Sequence, residues 1–192
     1  MLDELFNLCR YGVYATESSI NAKYKYEIYV VLTDTKTLFS RLSKVVTRQP
    51  YNHVSLALDE DFSELYTFAL TTGNSSLGGF KVETRQELEG MRYLAYKVSV
   101  TKHDWTRISN HIKSMVENPL GTTYNRFGLI NLIFDLDVFK NSDKSRAICS
   151  EFVANLLSDS GAEFIEGKKN HMLKPYDLLK NKRLEFFKRG VL

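Results

Sequence analysis

The chain has 192 residues and a formal net charge of +3, with a pI of about 8.7, a balance too mild to suggest a nucleic-acid partner. Hydrophobic residues make up 43% and charged residues 26%, with 3 prolines; this excludes a disordered chain and supplies enough apolar side chains for one globular domain over 1–192. No run approaches the length of a membrane span. The opening MLDELFNLCR starts with acids and lacks the basic and then long apolar stretch of a signal peptide, so a reducing, cytoplasmic setting is expected.

Leu2 to Arg10 predicts a short helix, with Cys9 beside Leu2, Leu5 and Phe6 on its inner face, so that residues 1–22 form a helical appendage. YKYEIYVVL predicts a strand that turns wholly apolar toward its end. Asp34 or Thr35 then caps a helix striped by Leu38, Phe39, Leu42, Val45 and Val46 and ended by Pro50. HVSLAL places Val54, Leu56 and Leu58 on one strand face and His53, Ser55 and Ala57 on the other, and ELYTFAL returns as its antiparallel partner. TTGNSSLGG reads as a loop, FKVET and YLAYKVSV as further strands. Thr101 with Asp104 resembles a capping box and opens a helix with Trp105, Ile108, Ile112, Met115 and Val116 inward. GLINLIF predicts a short buried helix, and residues 136–146 a polar, mobile loop that serves as a lid. In RAICSEFVANLLSDSG, Cys149, Phe152, Val153, Leu156 and Leu157 share one helix face, and Gly161 stands at the expected cap. KPYDLLKNKRLEFF suggests a turn, a short helical piece and a closing strand. Strands grouped in the middle with helices at both ends define an α+β fold.

Cys149 falls on the first turn of its helix, where backbone N–H groups and the positive end of the dipole stabilise a thiolate, the nucleophilic form of cysteine. A partner base must come from elsewhere in the chain, and His53 at a strand start is the candidate. An imidazole, with an ordinary pKa of about 6.5, can take the thiol proton and later protonate a leaving group, provided a third group orients the ring. The plain alternative is a small hydrophobic cysteine sealed in a core. His103 and His111 belong to a solvent-facing helix side, and the basic residues between Lys168 and Arg189 form a solvated face.

NHVSLAL, a hairpin, ELYTFA, ICSEFVANLL and KPYDLL, in that order, resemble the circularly permuted branch of the NlpC-type papain-like superfamily, close to YiiX-like proteins and more distantly to lecithin:retinol acyltransferase-like enzymes. The resemblance runs from about Ile28 to Leu179. It implies a papain-like α+β domain: an antiparallel sheet or partial barrel with the nucleophile helix packed against it, Cys149 as nucleophile and His53 as base. It also implies a polar orienting residue on the return strand, where this chain has Phe68-Ala69. Glu64, Thr67 and Glu83 are the possible substitutes, and a backbone carbonyl is another. An oxyanion hole would include the Cys149 N–H, and Tyr124 and Asn125 lie in a loop placed to line the cleft. The expected function is cysteine-dependent hydrolysis of an amide or ester through a thioester, on a peptide, isopeptide or acyl substrate. Acyl transfer or lipid deacylation on the same pair, and an inactive binding or regulatory module, are the alternatives. No metal-ligand spacing or phosphate-cradling glycine motif occurs, so no cofactor is expected.

Overall fold

The computed structural model describes residues 26–35, 49–70, 78–134, 136–138, 143, 145–158 and 168–192. The appendage over 1–22, the helix expected before Pro50, the Gly161 cap and most of the loop 136–146 lie outside these residues. The elements in chain order are β1 (Tyr26–Thr33), β2 (His53–Ala57), β3 (Glu64–Ala69), β4 (Gly79–Thr84) and β5 (Arg92–Val100), then α1 (Lys102–Glu117), β6 (Thr123–Tyr124), α2 (Arg126–Phe134), β7 (Arg146–Ala147), α3 (Cys149–Ser158) and β8 (Glu185–Val191). A six-stranded sheet runs in the order β4-β3-β2-β1-β5-β8, with every neighbouring pair antiparallel. The fold is α+β, and the closing strand expected near the C-terminal end of the sequence is β8, beside β5.

β1 is apolar through Ile28–Leu32 because it lies between β2 and β5 and is covered on both faces. Ile28, Val30 and Leu32 join Val54, Leu56, Phe68 and Phe80 in a core shared with α1 and α3. Tyr29 and Val31 face the other way, into a smaller core with Phe62, Leu65 and Leu88.

Thr101 caps α1, its hydroxyl accepting a hydrogen bond from the Asp104 N–H at 3.1 Å. Ile108 and Ile112 are buried as the helical spacing predicts, whereas Val116 is 46% exposed. GLINLIF forms a helix, α2, and is buried in part: Asn131 and Leu132 go inside, whereas Ile130 is 40% exposed.

The parallel pair β6–β7 is what carries the chain to α3. Phe80 N–H of β4 donates to Thr122 Oγ1 at 2.9 Å, and a side chain at Gly79 would sit 2.8 Å from the Thr122 carbonyl oxygen. Glycine therefore permits the close approach that docks β6 onto the start of β4. Tyr124 pairs with Ala147, and the chain turns at Ile148 directly into α3. Glu151 reaches back to accept the Ile148 N–H at 3.3 Å, as a third helical residue does in a capping box. Phe152, Val153, Leu156 and Leu157 then bury their side chains in the larger core, which seats α3 against β2 and β3.

Candidate functional site

His53 is the first residue of β2, and its side chain is 12% exposed. It hydrogen-bonds the side chain of Cys149, the first residue of α3. Its Nε2 also lies 3.2 Å from Glu83 Oε2. Glu83 comes from β4, one strand beyond the hairpin partner β3, and its side chain is 8% exposed. A sheet end, a sheet edge and a helix start thus bring thiol, imidazole and carboxylate into one line, with the ring in the middle. Because Glu83 holds Nε2, Nδ1 is the nitrogen left to serve the sulfur.

The other expected residues are placed differently. Glu64 is exposed and accepts the Tyr66 hydroxyl at 2.6 Å; Thr67 is buried and donates to the Val54 carbonyl at 2.8 Å. Of the three possible orienting residues, Glu83 is therefore the one beside the ring. Asn125 is used at the start of α2, where its Oδ1 accepts the Gly128 N–H at 2.8 Å. Tyr124, by contrast, lies close enough to Cys149 and Glu151 to interact electrostatically with both.

Electrostatics bind the group together. Burial disfavours the charged imidazole, but the Glu83 carboxylate and the hydrogen bond to Cys149 outweigh it and push His53 up to about 10. Burial likewise disfavours the Glu83 carboxylate; His53, Lys81 and the Ser55 hydroxyl overcome it and hold Glu83 below the usual glutamate value. Lys81 Nζ stands 3.8 Å from Glu83 Oε1, on the side away from the ring. Tyr124 is pushed well above the usual tyrosine value, by burial first and then by the charges of Cys149 and Glu151, so its phenol remains a donor. Cys149 is a free thiol, 7% exposed.

These shifts couple the site to folding. His53 gains charge stabilisation on folding, so its contribution is complete below the unfolded histidine value and fades as pH rises toward about 10. Glu83 is shifted down, so its contribution is present above the unfolded carboxylate value and fades as pH falls. The stability difference between the wild type and His53→Gln, measured by urea unfolding, is expected to be largest between about pH 4.5 and 6.5 and to shrink on both sides. A difference that stays constant from pH 4 to 9 would mean that the ring and the carboxylate do not pair.

Sequence reasoning put His53 and Ser55 on one strand face but assigned Ser55 no role; it is fully buried against Glu83. Lys81 and Glu151 were not singled out either. Their only signals are spacings, i to i+2 from Glu83 on a strand and the third position of a helix. A groove lined by Tyr26, Glu27, Leu58 and Trp105 opens at the other end of β1 and β2 and includes none of the residues gathered around Cys149.

No protein-family model matches the chain, and a comparison with curated proteins finds no match either. Among the described residues, no helix is long and apolar enough to cross a membrane, and no cluster of three or more His, Cys, Asp or Glu is arranged to hold a metal ion.

Proposed function

We propose that the protein is a cysteine-dependent hydrolase of amide or ester bonds, with Cys149 as nucleophile, His53 as base and Glu83 as the group that orients the ring. The observation that carries this reading is the continuous line of contact from Cys149 through His53 to Glu83. Buried imidazole and carboxylate seldom meet a helix-start thiol by packing alone, because each charged group costs desolvation unless it is paired. An antiparallel sheet with the thiol-bearing helix seated on it also agrees with the resemblance to permuted NlpC-type papain-like enzymes.

In the proposed cycle His53, kept charged by Glu83, already holds the proton taken from Cys149, and the sulfur attacks the substrate carbonyl carbon. The oxyanion so formed is met by the Cys149 N–H and by Tyr124, whose phenol keeps its proton. His53 passes its proton to the departing amine or alcohol as the carbon–heteroatom bond breaks, leaving a thioester. Water, deprotonated by His53, then attacks the thioester; the carboxylic acid leaves and the thiol is restored. A retained but inactive module would be the natural reading if nothing oriented the ring. The contact between Glu83 and the ring supports the enzyme instead. The free thiol needs reducing surroundings, in keeping with a cytoplasmic setting.

The test uses p-nitrophenyl acetate as a generic acyl donor. We expect a burst of p-nitrophenolate approaching one equivalent per chain, an acetyl group located on Cys149 by mass spectrometry, and slow turnover afterward. Absence of a burst, or acetylation spread over lysines with Cys149 untouched, rules the reading out.

A further inference from the structure

We propose that Ser55 is a positioning residue of this site: its buried hydroxyl, wedged between ring and carboxylate, fixes His53 with the proton on Nε2 and Nδ1 open to the thiol. The inference rests on the reading of Cys149 and His53 as a reactive pair and extends it to a residue that touches no substrate.

Three distances define the wedge. Ser55 Oγ lies 3.2 Å from Glu83 Oε2 and 3.4 Å from His53 Nε2, and Nε2 lies 3.2 Å from the same carboxylate oxygen. Ser55 has no exposed surface, so water cannot substitute for any of these partners. A hydroxyl has one proton to give and an ionised carboxylate only accepts. Ser55 therefore donates to Glu83 and turns its lone pairs toward the ring. Nε2 then faces acceptors from both Glu83 and Ser55, an arrangement that suits an N–H and repels a bare nitrogen. A buried strand position needs no hydroxyl for packing, and an alanine would satisfy the ladder equally well.

Among the described residues, the charged and titratable groups around the ring are Glu83 from β4, with Lys81 behind it, and Cys149 from α3, with Tyr124 of β6 and Glu151 nearby. Among the described residues, Ser55 is the neutral side chain that hydrogen-bonds both Glu83 and His53. Removing its oxygen leaves the buried carboxylate short of a donor and easier to protonate. Once Glu83 is neutral, the imidazolium loses its counter-charge and the sulfur loses the imidazolium.

The experiment is the pH dependence of Cys149 alkylation by iodoacetamide between pH 4 and 9, in the wild type, Ser55→Ala, Ser55→Thr and His53→Ala. In Ser55→Ala the acid limb is expected to move up by about one pH unit, the size of one hydrogen bond to a charged group. The rate at pH 5.5 then falls by less than about twofold, the rate at pH 4 falls further, by up to about tenfold, and the rate at pH 9 changes little. Ser55→Thr, which keeps the hydroxyl, retains the wild-type limb. A merely structural role lowers the rate at every pH without moving the limb, and that result, or a superimposable profile, overturns the inference. Failure of the underlying reading looks different: wild type and His53→Ala then share one profile. Should Ser55→Ala not fold, nitrogen-15 shifts of the His53 ring in Cys149→Ala, read at a pH high enough to leave the ring neutral, decide the matter. The Nε2–H tautomer is expected, and a predominant Nδ1–H tautomer refutes the proposal.

Discussion

Replacing His53 with alanine is expected to slow acetylation of Cys149 by p-nitrophenyl acetate by about 10³-fold, the midrange effect of a positioned general base. The size of the loss follows from where the proton must go. Cys149 is 7% exposed, so bulk water is a poor substitute base; besides His53, Tyr124 interacts with Cys149, and Glu151 follows it two residues along the same helix. Tyr124 is held in its protonated form by burial and by the neighbouring negative charges, and Glu151 is committed to the Ile148 N–H. Neither can stand in for imidazole. Glu83→Gln is expected to cost less, on the order of tenfold, because an amide oxygen can still accept the Nε2–H while its charge is gone. Rates of acetyl incorporation at Cys149, followed by mass spectrometry, check both numbers in order. Equal rates in the wild type and His53→Ala would mean that the ring takes no proton from the thiol and that their contact is structural.

The graded expectation depends on a carboxylate whose place could not be fixed from the sequence. His53 was legible because a lone histidine opens an alternating strand, and Cys149 because a helical apolar stripe places it on a first turn. Glu83 was one of three equivalent guesses, since strand periodicity tells which face a residue takes but not how far neighbouring strands slide. The register supplies the missing information: Leu65 of β3 faces Glu83 and Leu56 of β2 faces Tyr66. Hydrogen bonding across that frame brings a carboxylate from β4 to a ring on β2, past a β3 return strand that offers only Phe68 and Ala69 at the position where the resemblance looked for a polar group. α2 failed for another reason. Its apolar residues have no helical period, so burial of the whole run was the natural expectation, yet the polar Asn131 went inside with Leu132 while Ile130 is 40% exposed. Asn125 shows the same limit, because a side chain that can line a cleft can equally cap a helix.

Phe152→Ala is expected to cost about 3–5 kcal/mol of folding stability and to lower the melting temperature by roughly 10–15 °C for a chain of this size. Phe152 is 3% exposed. Its ring lies 5.2 Å from that of Phe68 and 5.8 Å from that of Phe80, two residues that face each other across β3 and β4. The three rings join the start of α3 to the strands that flank the site, and a cavity at their centre has no polar atom to hold water in place. Phe152 is also one helical turn from Cys149, on the same face. Partial collapse of the cavity therefore draws the helix start toward the sheet, and a shift of about an ångström can cost 10²-fold in a reaction that depends on alignment. Phe152→Leu keeps most of the volume and should lose less than about 1.5 kcal/mol. Urea unfolding gives the stability of each variant, and iodoacetamide modification well below the melting temperature gives the reactivity of the folded fraction. A loss under 1 kcal/mol for Phe152→Ala would mean that α3 is not seated on β3 and β4 through this ring. Full stability loss with unchanged Cys149 reactivity would mean that the thiol is positioned by β6 and β7 alone, through the Asn125 N–H to Ala147 carbonyl bond of 3.0 Å, and that the helix core behind it serves only the fold.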